Sequence, residues 1–73
     1  MLTGKRFRLE RGTLAVEGVE GAKQRAVTVP VGAVIKVLAG PTNNNGLVKI
    51  DWDGRTLGMF SVDVDVRGTE IQD

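Results

Sequence analysis

The sequence contains no cysteine and no histidine, and it has a single serine, Ser61. Without cysteine there is neither a disulfide framework nor a thiolate metal site. Without histidine the usual general base and the commonest zinc ligand are missing. Ser61 has no histidine to activate it, so we expect it to serve a turn or a cap and not as a nucleophile. The chain is therefore predicted to be non-enzymatic, with no catalytic residue, no metal, no cofactor and no small-molecule substrate.

Aromatic residues and long apolar runs are also scarce. The chain has one tryptophan, two phenylalanines and no tyrosine, whereas single-stranded nucleic-acid sites usually stack bases on several exposed rings. No apolar segment approaches the roughly 20 residues that cross a membrane, and none follows the basic residues near Met1. We therefore expect neither secretion nor membrane insertion, and cytoplasmic location is the default expectation.

Length and periodicity favour one small β domain. With 73 residues the chain has room for a single domain, predicted to span residues 1–73. Polar and apolar residues alternate between closely spaced glycines, and no window shows a sustained helical apolar stripe. Strands are accordingly predicted over residues 5–9, 13–17, 24–29, 34–39, 47–52 and 55–60.

The alternation also predicts which side chains form the core. In the first strand Phe7 and Leu9 should point inward, and Arg6 and Arg8 should face solvent, because neighbouring side chains in a strand lie on opposite faces. Pro30 should end the third strand, since proline cannot donate to a central ladder. By the same alternation the later inward residues are Val27, Val29, Ile35 and Val37.

Asp53-Gly54 is the strongest local signal in the chain. An Asp-Gly pair between two alternating runs is typical of a β-hairpin with a two-residue type I′ turn. Counting outward from the turn pairs Trp52 with Arg55, and the two further pairs on the same face are apolar. Those pairs are Ile50 with Leu57 and Val48 with Met59.

The end of the chain is predicted to form a last strand and a fraying tail. Val62, Val64 and Val66 alternate with charged residues, as in a half-buried strand, and the tail after Gly68 is expected to fray. Five or more short strands joined by tight turns must protect their edges by closing on themselves. We therefore predict an all-β fold, a small barrel of about five or six strands, with essentially no helix.

From Val29 onward the order of segments resembles the second half of an SH3-like barrel. A strand end is followed by a Pro-Val-Gly turn at residues 30–32, an apolar strand, a polar loop at residues 40–46 and the Asp53-Gly54 hairpin. A short segment and a final strand complete the order. The likeness covers about 40 residues and implies the fold and not the function.

The positions that match the SH3 peptide groove argue against its usual ligand. In SH3 domains an aromatic-lined groove binds proline-rich segments. Here Leu47 stands where the resemblance would place the groove tryptophan, Ser61 where it would place a proline, and Asp63 where it would place a tyrosine. The resemblance therefore disfavours binding of proline motifs.

A second resemblance is to the KOW modules of ribosomal and transcription-elongation proteins. Residues 31–41 and 46–48 follow the glycine and valine spacing of that motif, and residues 54–56 and 60–64 are similar to its end. This likeness implies contact with nucleic acid. The loop departs from the pattern, because it carries Asn43-Asn44-Asn45 and no basic residue.

The basic residues are concentrated early in the chain, and they form the first candidate binding surface. Through Lys36 there are seven basic and three acidic residues, although the net charge of the whole chain is only +1. Arginines on one strand face can bind phosphates or carboxylates, while a solvated strand face is the commoner explanation. The candidate residues are Arg6, Arg8, Arg11, Lys23 and Arg25, together with Lys5.

Trp52 with Arg55 forms a second candidate surface. Trp52 could be a binding platform, but it shares a face with core residues, and Arg55 opposite it could stack on the ring.

Two pairs of aspartates on strand faces could in principle gather a divalent cation, and solubility explains them more simply. Those pairs are Asp51 with Asp53 and Asp63 with Asp65.

Two functions are consistent with these observations. The leading one is a protein-interaction module that binds a protein partner or associates with itself through edge strands. The alternative is KOW-like binding of RNA, the ribosome or another nucleic acid through the basic strand face. A designed or minimal barrel without a partner also fits the sequence.

Overall fold

A computed structural model describes residues 2–18, 23–41 and 46–72, which form one antiparallel sheet and one short helix. The sheet has seven strands in the order β3-β2-β6-β5-β4-β1-β7. The elements are β1 (Arg6–Leu9), β2 (Thr13–Glu17), β3 (Arg25–Val29), β4 (Val34–Ala39), β5 (Leu47–Trp52), β6 (Arg55–Phe60), α1 (Ser61–Arg67) and β7 (Gly68–Ile71). The all-β prediction is confirmed.

The core lies on one side of the sheet and is built from alternate residues of every strand except β7, as the period of a strand requires. Phe7 and Leu9 are buried as predicted, and Arg8 is exposed. Among the described residues, the other buried apolar ones are Ala15, Val29, Ile35, Val37, Val48, Ile50, Leu57, Met59 and Val64. We call the opposite side of the sheet, which carries the exposed strand residues, the outer face.

The β5–β6 hairpin has the predicted turn and register. Asp53 and Gly54 both have positive φ, 54° and 79°, as a type I′ turn requires. Trp52 lies opposite Arg55 and Ile50 opposite Leu57. Because a slip of one residue would turn this hydrophobic set to the outer face, the pattern and the turn fix the same register.

The predicted last strand is wrong, since residues Ser61–Arg67 form the helix α1. Successive positions in a helix differ by about 100°, so residues two apart lie on opposite sides and residues four apart lie together. Val64 is 0% exposed, while Val62 and Val66 are 61% and 75% exposed. Asp63 and Arg67 are four residues apart and form an ion pair at 3.4 Å on one side of the helix. Three alternate valines are thus compatible with a two-turn helix, and the expectation of essentially no helix is wrong.

The tail predicted to fray is instead strand β7. Gly68–Ile71 pairs with all four residues of β1. Gly68 stands where the helix gives way to the strand, and a Cβ there would lie 2.7 Å from the Val64 carbonyl oxygen and 3.2 Å from the Phe7 Cβ. Glycine at this junction lets β7 approach the core closely.

The sheet therefore has seven strands where about five or six were expected. Within residues 2–18, 23–41 and 46–72, no ladder joins β3 to β7, so the hydrogen-bonded sheet is open. Part of the polar loop predicted at residues 40–46 falls on residues 42–45, outside the described residues. In the described part of the chain, no helix has the length and apolar character needed to span a bilayer.

Candidate functional site

Two of the predicted basic residues, Arg6 and Arg8, lie together on the outer face. Both belong to β1, where the intervening Phe7 points into the core. Across the β1–β4 ladder Arg6 is opposite Lys36, and Lys36 is in turn opposite Asp51 of β5. The outer face of β1 and β4 therefore carries three cations with one carboxylate at its border.

The other predicted basic residues do not join this group as one surface. Lys5 forms an ion pair with Glu70 of β7 at 3.6 Å. Arg11 is exposed beyond the end of β1, and Lys23 is exposed before β3. Arg25 lies in β3, at the other edge of the sheet, with β2, β6, β5 and β4 between it and β1.

Arg25 belongs instead to a cluster centred on Glu17 of β2. The Arg25 Nε donates to Glu17 Oε1 at 3.0 Å. Arg55 donates to the other oxygen, Oε2, from Nη2 at 3.2 Å and from Nε at 3.3 Å. The hydrogen bond from Arg25, followed by that from Arg55, lowers the pKa of Glu17 below its usual 4.5.

Trp52 completes this cluster, as the predicted contact with Arg55 is present. The Arg55 guanidinium carbon lies 5.5 Å from the centre of the Trp52 ring, within cation–π range. Trp52 is partly buried and packs against the core. Because both arginines bind the same carboxylate, the cluster joins the β2–β3 hairpin to the β5–β6 hairpin.

Glu17 is not among the site residues predicted from the sequence, although its contact with Arg25 has a local sequence signal. Glu17 lies opposite Arg25 in the last pair of the β2–β3 ladder before the connecting loop, and opposite charges on the two sides of a loop indicate such a pair. The contact with Arg55 joins residues 38 positions apart, and nothing in the local pattern points to it.

The two edges of the open sheet differ in how they are protected. β3 pairs with β2 over all five of its residues without a bulge, and no strand in the described part of the chain pairs with its other side. Ala26 and Thr28 are small and exposed on the outer face, and Arg25 is the strand's one charged residue. β7 is shorter, and it carries Glu70, which Lys5 holds.

An apolar area lies on the outer face near β3. Leu14 of β2 is directly opposite Thr28 of β3 and is 63% exposed, and Phe60 of β6 is 47% exposed. Phe60 lies opposite Leu47 of β5. A segment that lies beside β3 would therefore find Leu14 on the strand next to β3, and Phe60 on the strand beyond that.

The aspartate pairs do not gather a metal site in the described part of the chain. Across residues 2–18, 23–41 and 46–72, no group of three or more histidine, cysteine, aspartate or glutamate side chains could hold a metal ion. Asp63 forms an ion pair with Arg67, and Asp65 is exposed on α1.

Ser61, the serine of the sequence, is the first residue of α1. Its backbone N–H donates to the Gly46 carbonyl oxygen at 2.8 Å.

No protein-family model matches the chain, and neither a curated protein nor a solved structure matches it.

Proposed function

We propose that the protein is a non-enzymatic interaction module that binds an extended segment of a protein partner along the free edge of β3. The observation that carries this proposal is that, among the described residues, β3 pairs with β2 alone, and residues 26–28 in its middle contain no charge, proline or bulge. Natural edge strands are commonly blunted by proline, a bulge or an inward or exposed charge. Backbone groups at such an edge can pair with an added strand.

The composition of β3 supports this use of the edge. It has no proline within Arg25–Val29, and its ladder with β2 has no bulge. Its only charge, on Arg25, is bound by Glu17. The small side chains of Ala26 and Thr28 leave the backbone accessible to a neighbouring strand. The outer-face residue Leu14 lies one strand further in, where it would contact long side chains of a ligand.

We infer that the module is a partly open SH3-like barrel. The pairing of β1 with both β4 and β7 supports this architecture, as does the tight hairpin at Asp53-Gly54. The groove used by SH3 domains is not the surface proposed here, because Leu47, Ser61 and Asp63 replace its ligand-binding residues. Recognition through a strand edge needs no aromatic groove.

Selection of peptides from a random phage-displayed library on the immobilised chain tests the proposal. We expect enriched peptides to be rich in β-branched residues and to lose at least tenfold in affinity for Ala26→Lys/Thr28→Lys. Thr56→Lys, on the outer face of β6, is the matched control and should bind as the wild type does. Peptides that bind all three proteins equally would contradict the use of β3.

Binding of nucleic acid through the outer face of β1 and β4 is a second candidate function. The observation that favours it is the position of Arg6 opposite Lys36, with Arg8 two residues further along β1. Phosphate contacts release counterions, so three of them should give a slope of about −2 in log K against log salt for single-stranded RNA. Fluorescence anisotropy with single- and double-stranded RNA at low and physiological salt measures this slope.

Charge removal distinguishes this surface from nonspecific attraction. Arg6→Ala/Arg8→Ala should weaken RNA binding and reduce the salt slope by about one to two. Arg25→Ala, at the opposite edge of the sheet, removes a cation from another surface and should leave the slope unchanged. Absence of RNA binding at low salt, or equal weakening by both variants, would rule out the basic face.

A further inference from the structure

We propose that the partner of β3 is the β3 strand of a second copy of this chain, paired antiparallel about a two-fold axis at Val27. This inference rests on the proposed function, in which the β3 edge accepts a strand. It adds the identity of the partner and the register of the pair. The two seven-stranded sheets would then form one continuous sheet.

The two-fold axis fixes which residues meet. In an interface of this symmetry, if one residue contacts another, the second contacts the first in the partner. With the axis at Val27, each Ala26 lies opposite Thr28 of the second copy, and each Arg25 lies opposite Val29. Cross-strand partners must lie on the same face of a sheet, and this register pairs the exposed outer-face residues Ala26 and Thr28 with each other.

The size of these residues suits close approach of two backbones. Ala26 and Thr28 are the exposed outer-face residues of β3, and neither has a long side chain that would have to be displaced. The regular β2–β3 ladder holds all five residues of β3 extended. Exposed Pro30 follows directly, so the added ladder would end with β3.

The charges of β3 are compatible with self-pairing. Arg25 is its only charged residue, and the two-fold axis places the two Arg25 residues at opposite ends of the ladder, about 14 Å apart along the strand. Within each copy Glu17 already binds the Arg25 guanidinium. No like charges therefore face each other across the axis.

Pairing β3 with β3 also closes the assembly. A contact between β3 of one copy and β7 of the next would leave one free β3 and one free β7, and would continue as an open filament. The two-fold contact instead consumes both copies of the less protected edge, and leaves at the ends β7, whose Glu70 is held by Lys5. A ladder of this length buries a small area, so we expect a weak, concentration-dependent dimer.

A charge exchange at Ala26 and Thr28 tests the register. In the proposed dimer Ala26→Glu/Thr28→Glu places two pairs of glutamates opposite each other, and Ala26→Lys/Thr28→Lys places two pairs of lysines. An equimolar mixture places glutamates opposite lysines. Sedimentation velocity from about ten micromolar to about one millimolar measures the dimer fraction of each sample. We expect the dissociation constant to rise at least tenfold for each variant alone, and the mixture to recover the dimer.

The matched controls are Thr56→Glu and Thr56→Lys, which place the same charges on the outer face of β6, away from the edge. They should dimerise as the wild type does. Far-UV circular dichroism verifies that each variant is folded. Hydrogen exchange of the unmodified chain gives a measurement that needs no variant: those amides of residues 25–29 that point away from β2 should exchange more slowly as concentration rises.

Three outcomes overturn the inference, each in a distinct way, and a fourth supports it. A wild-type chain that stays monomeric over the whole range excludes the dimer, and if it still binds selected peptides at β3, the proposed function stands. A dimer that the β3 charges leave unchanged uses another surface. Variants that stay monomeric when mixed exclude the register centred on Val27. If mixing the two charge variants restores the dimer but the chain binds no peptide, the inference is supported. The partner of β3 is then limited to a second copy of this chain.

Discussion

At the scale of single residues, the Glu17 carboxylate connects three strands of the sheet. It binds arginines from two other strands, Arg25 of β3 and Arg55 of β6, and Arg55 in turn lies over Trp52. The direct ladder between β2 and β6 has only two residue pairs, Val16↔Gly58 and Glu17↔Leu57. Charge-assisted hydrogen bonds at the end of so short a ladder stabilise the junction of the two hairpins.

The first prediction concerns the pH dependence of this cluster. The arginines lower the pKa of Glu17 below 4.5, so the unfolded chain binds this proton more tightly than the folded one. The contribution to stability is therefore complete above the unfolded-state pKa and is lost as the pH falls through the lowered folded-state pKa. Glu17→Gln should unfold at lower urea concentration than the wild type near neutral pH.

The difference in urea midpoint between Glu17→Gln and the wild type should shrink on acidification and vanish below the folded-state pKa of Glu17. Urea unfolding, followed by Trp52 fluorescence at several pH values, measures it. Asp65→Asn, which removes a carboxylate exposed on α1, is the control and should unfold with the wild type throughout. A Glu17→Gln difference that does not change with pH would contradict the ionic origin of the stabilisation.

The second prediction concerns the turn residue Asp53, whose φ is 54°. Aspartate tolerates this left-handed conformation, whereas a β-branched residue does not. Asp53→Val should lower the free energy of unfolding by about 1–2 kcal/mol. Asp53→Asn should change it by no more than about 0.5 kcal/mol. Equal stability of the two variants by urea unfolding would show that the turn is not under this constraint.

At the scale of elements, the hairpins follow local signals and the helix does not. Strand β2 and the strands on both sides of Asp53-Gly54 have the predicted bounds, because turn chemistry and alternation agree there. Ser61–Arg67 has the alternation of a strand and folds as α1. The β5–β6 ladder ends at the Leu47↔Phe60 pair, and in the helix beyond it Val64 is the one fully buried residue.

The third prediction separates the helix from a strand by its three valines. In α1 only Val64 is buried, so Val64→Ala should lower the free energy of unfolding by about 1.5–3 kcal/mol. Val62→Ala and Val66→Ala remove exposed side chains and introduce a better helix former, so each should stay within about 0.5 kcal/mol of the wild type. Similar losses at all three positions would indicate the strand expected from the alternation.

At the scale of the whole molecule, β7 determines how far the sheet extends. It covers β1 over four residue pairs, and the backbone N–H of Glu10 donates to the Arg67 carbonyl oxygen at 2.7 Å just before it. Because the core is small, a single strand is a large share of what stabilises the fold. Of the two edges that remain in the described sheet, β3 is the one that the proposed binding uses.

The fourth prediction is that a chain ending at Arg67 loses its cooperative unfolding. Without β7 the ladder of β1 is unpaired on one side and Phe7 loses its cover at Gly68. The loss should reach about 3–5 kcal/mol, which is all that a core of this size supplies. Far-UV circular dichroism and Trp52 fluorescence during thermal unfolding measure it.

A chain ending at Ile71 keeps the whole of β7 and is the control for this truncation. It should unfold at the midpoint of the full chain, with coincident transitions by the two probes. If the chain ending at Arg67 kept the same midpoint, β7 would contribute nothing to stability. The tail after Gly68 would then fray, as the sequence alone predicts.

The candidate surfaces were predictable only in part. Alternation placed Arg6 and Arg8 on the outer face, and the turn placed Arg55 beside Trp52, because both relations are local. The sequence groups Arg25 with the β1 arginines, whereas the topology puts it at the opposite edge of the sheet. The free edge of β3 follows from the order of all seven strands, which no local pattern encodes.

The sequence by itself determined the all-β character, the Asp53-Gly54 hairpin and most of the core, because turn chemistry and period-2 alternation act between near neighbours. Only the tertiary structure decided that Ser61–Arg67 is a helix, that β7 pairs with β1, and that Glu17 joins two hairpins. Those outcomes depend on which surfaces remain to be covered once distant strands have packed, and burial against distant partners outweighs local preference.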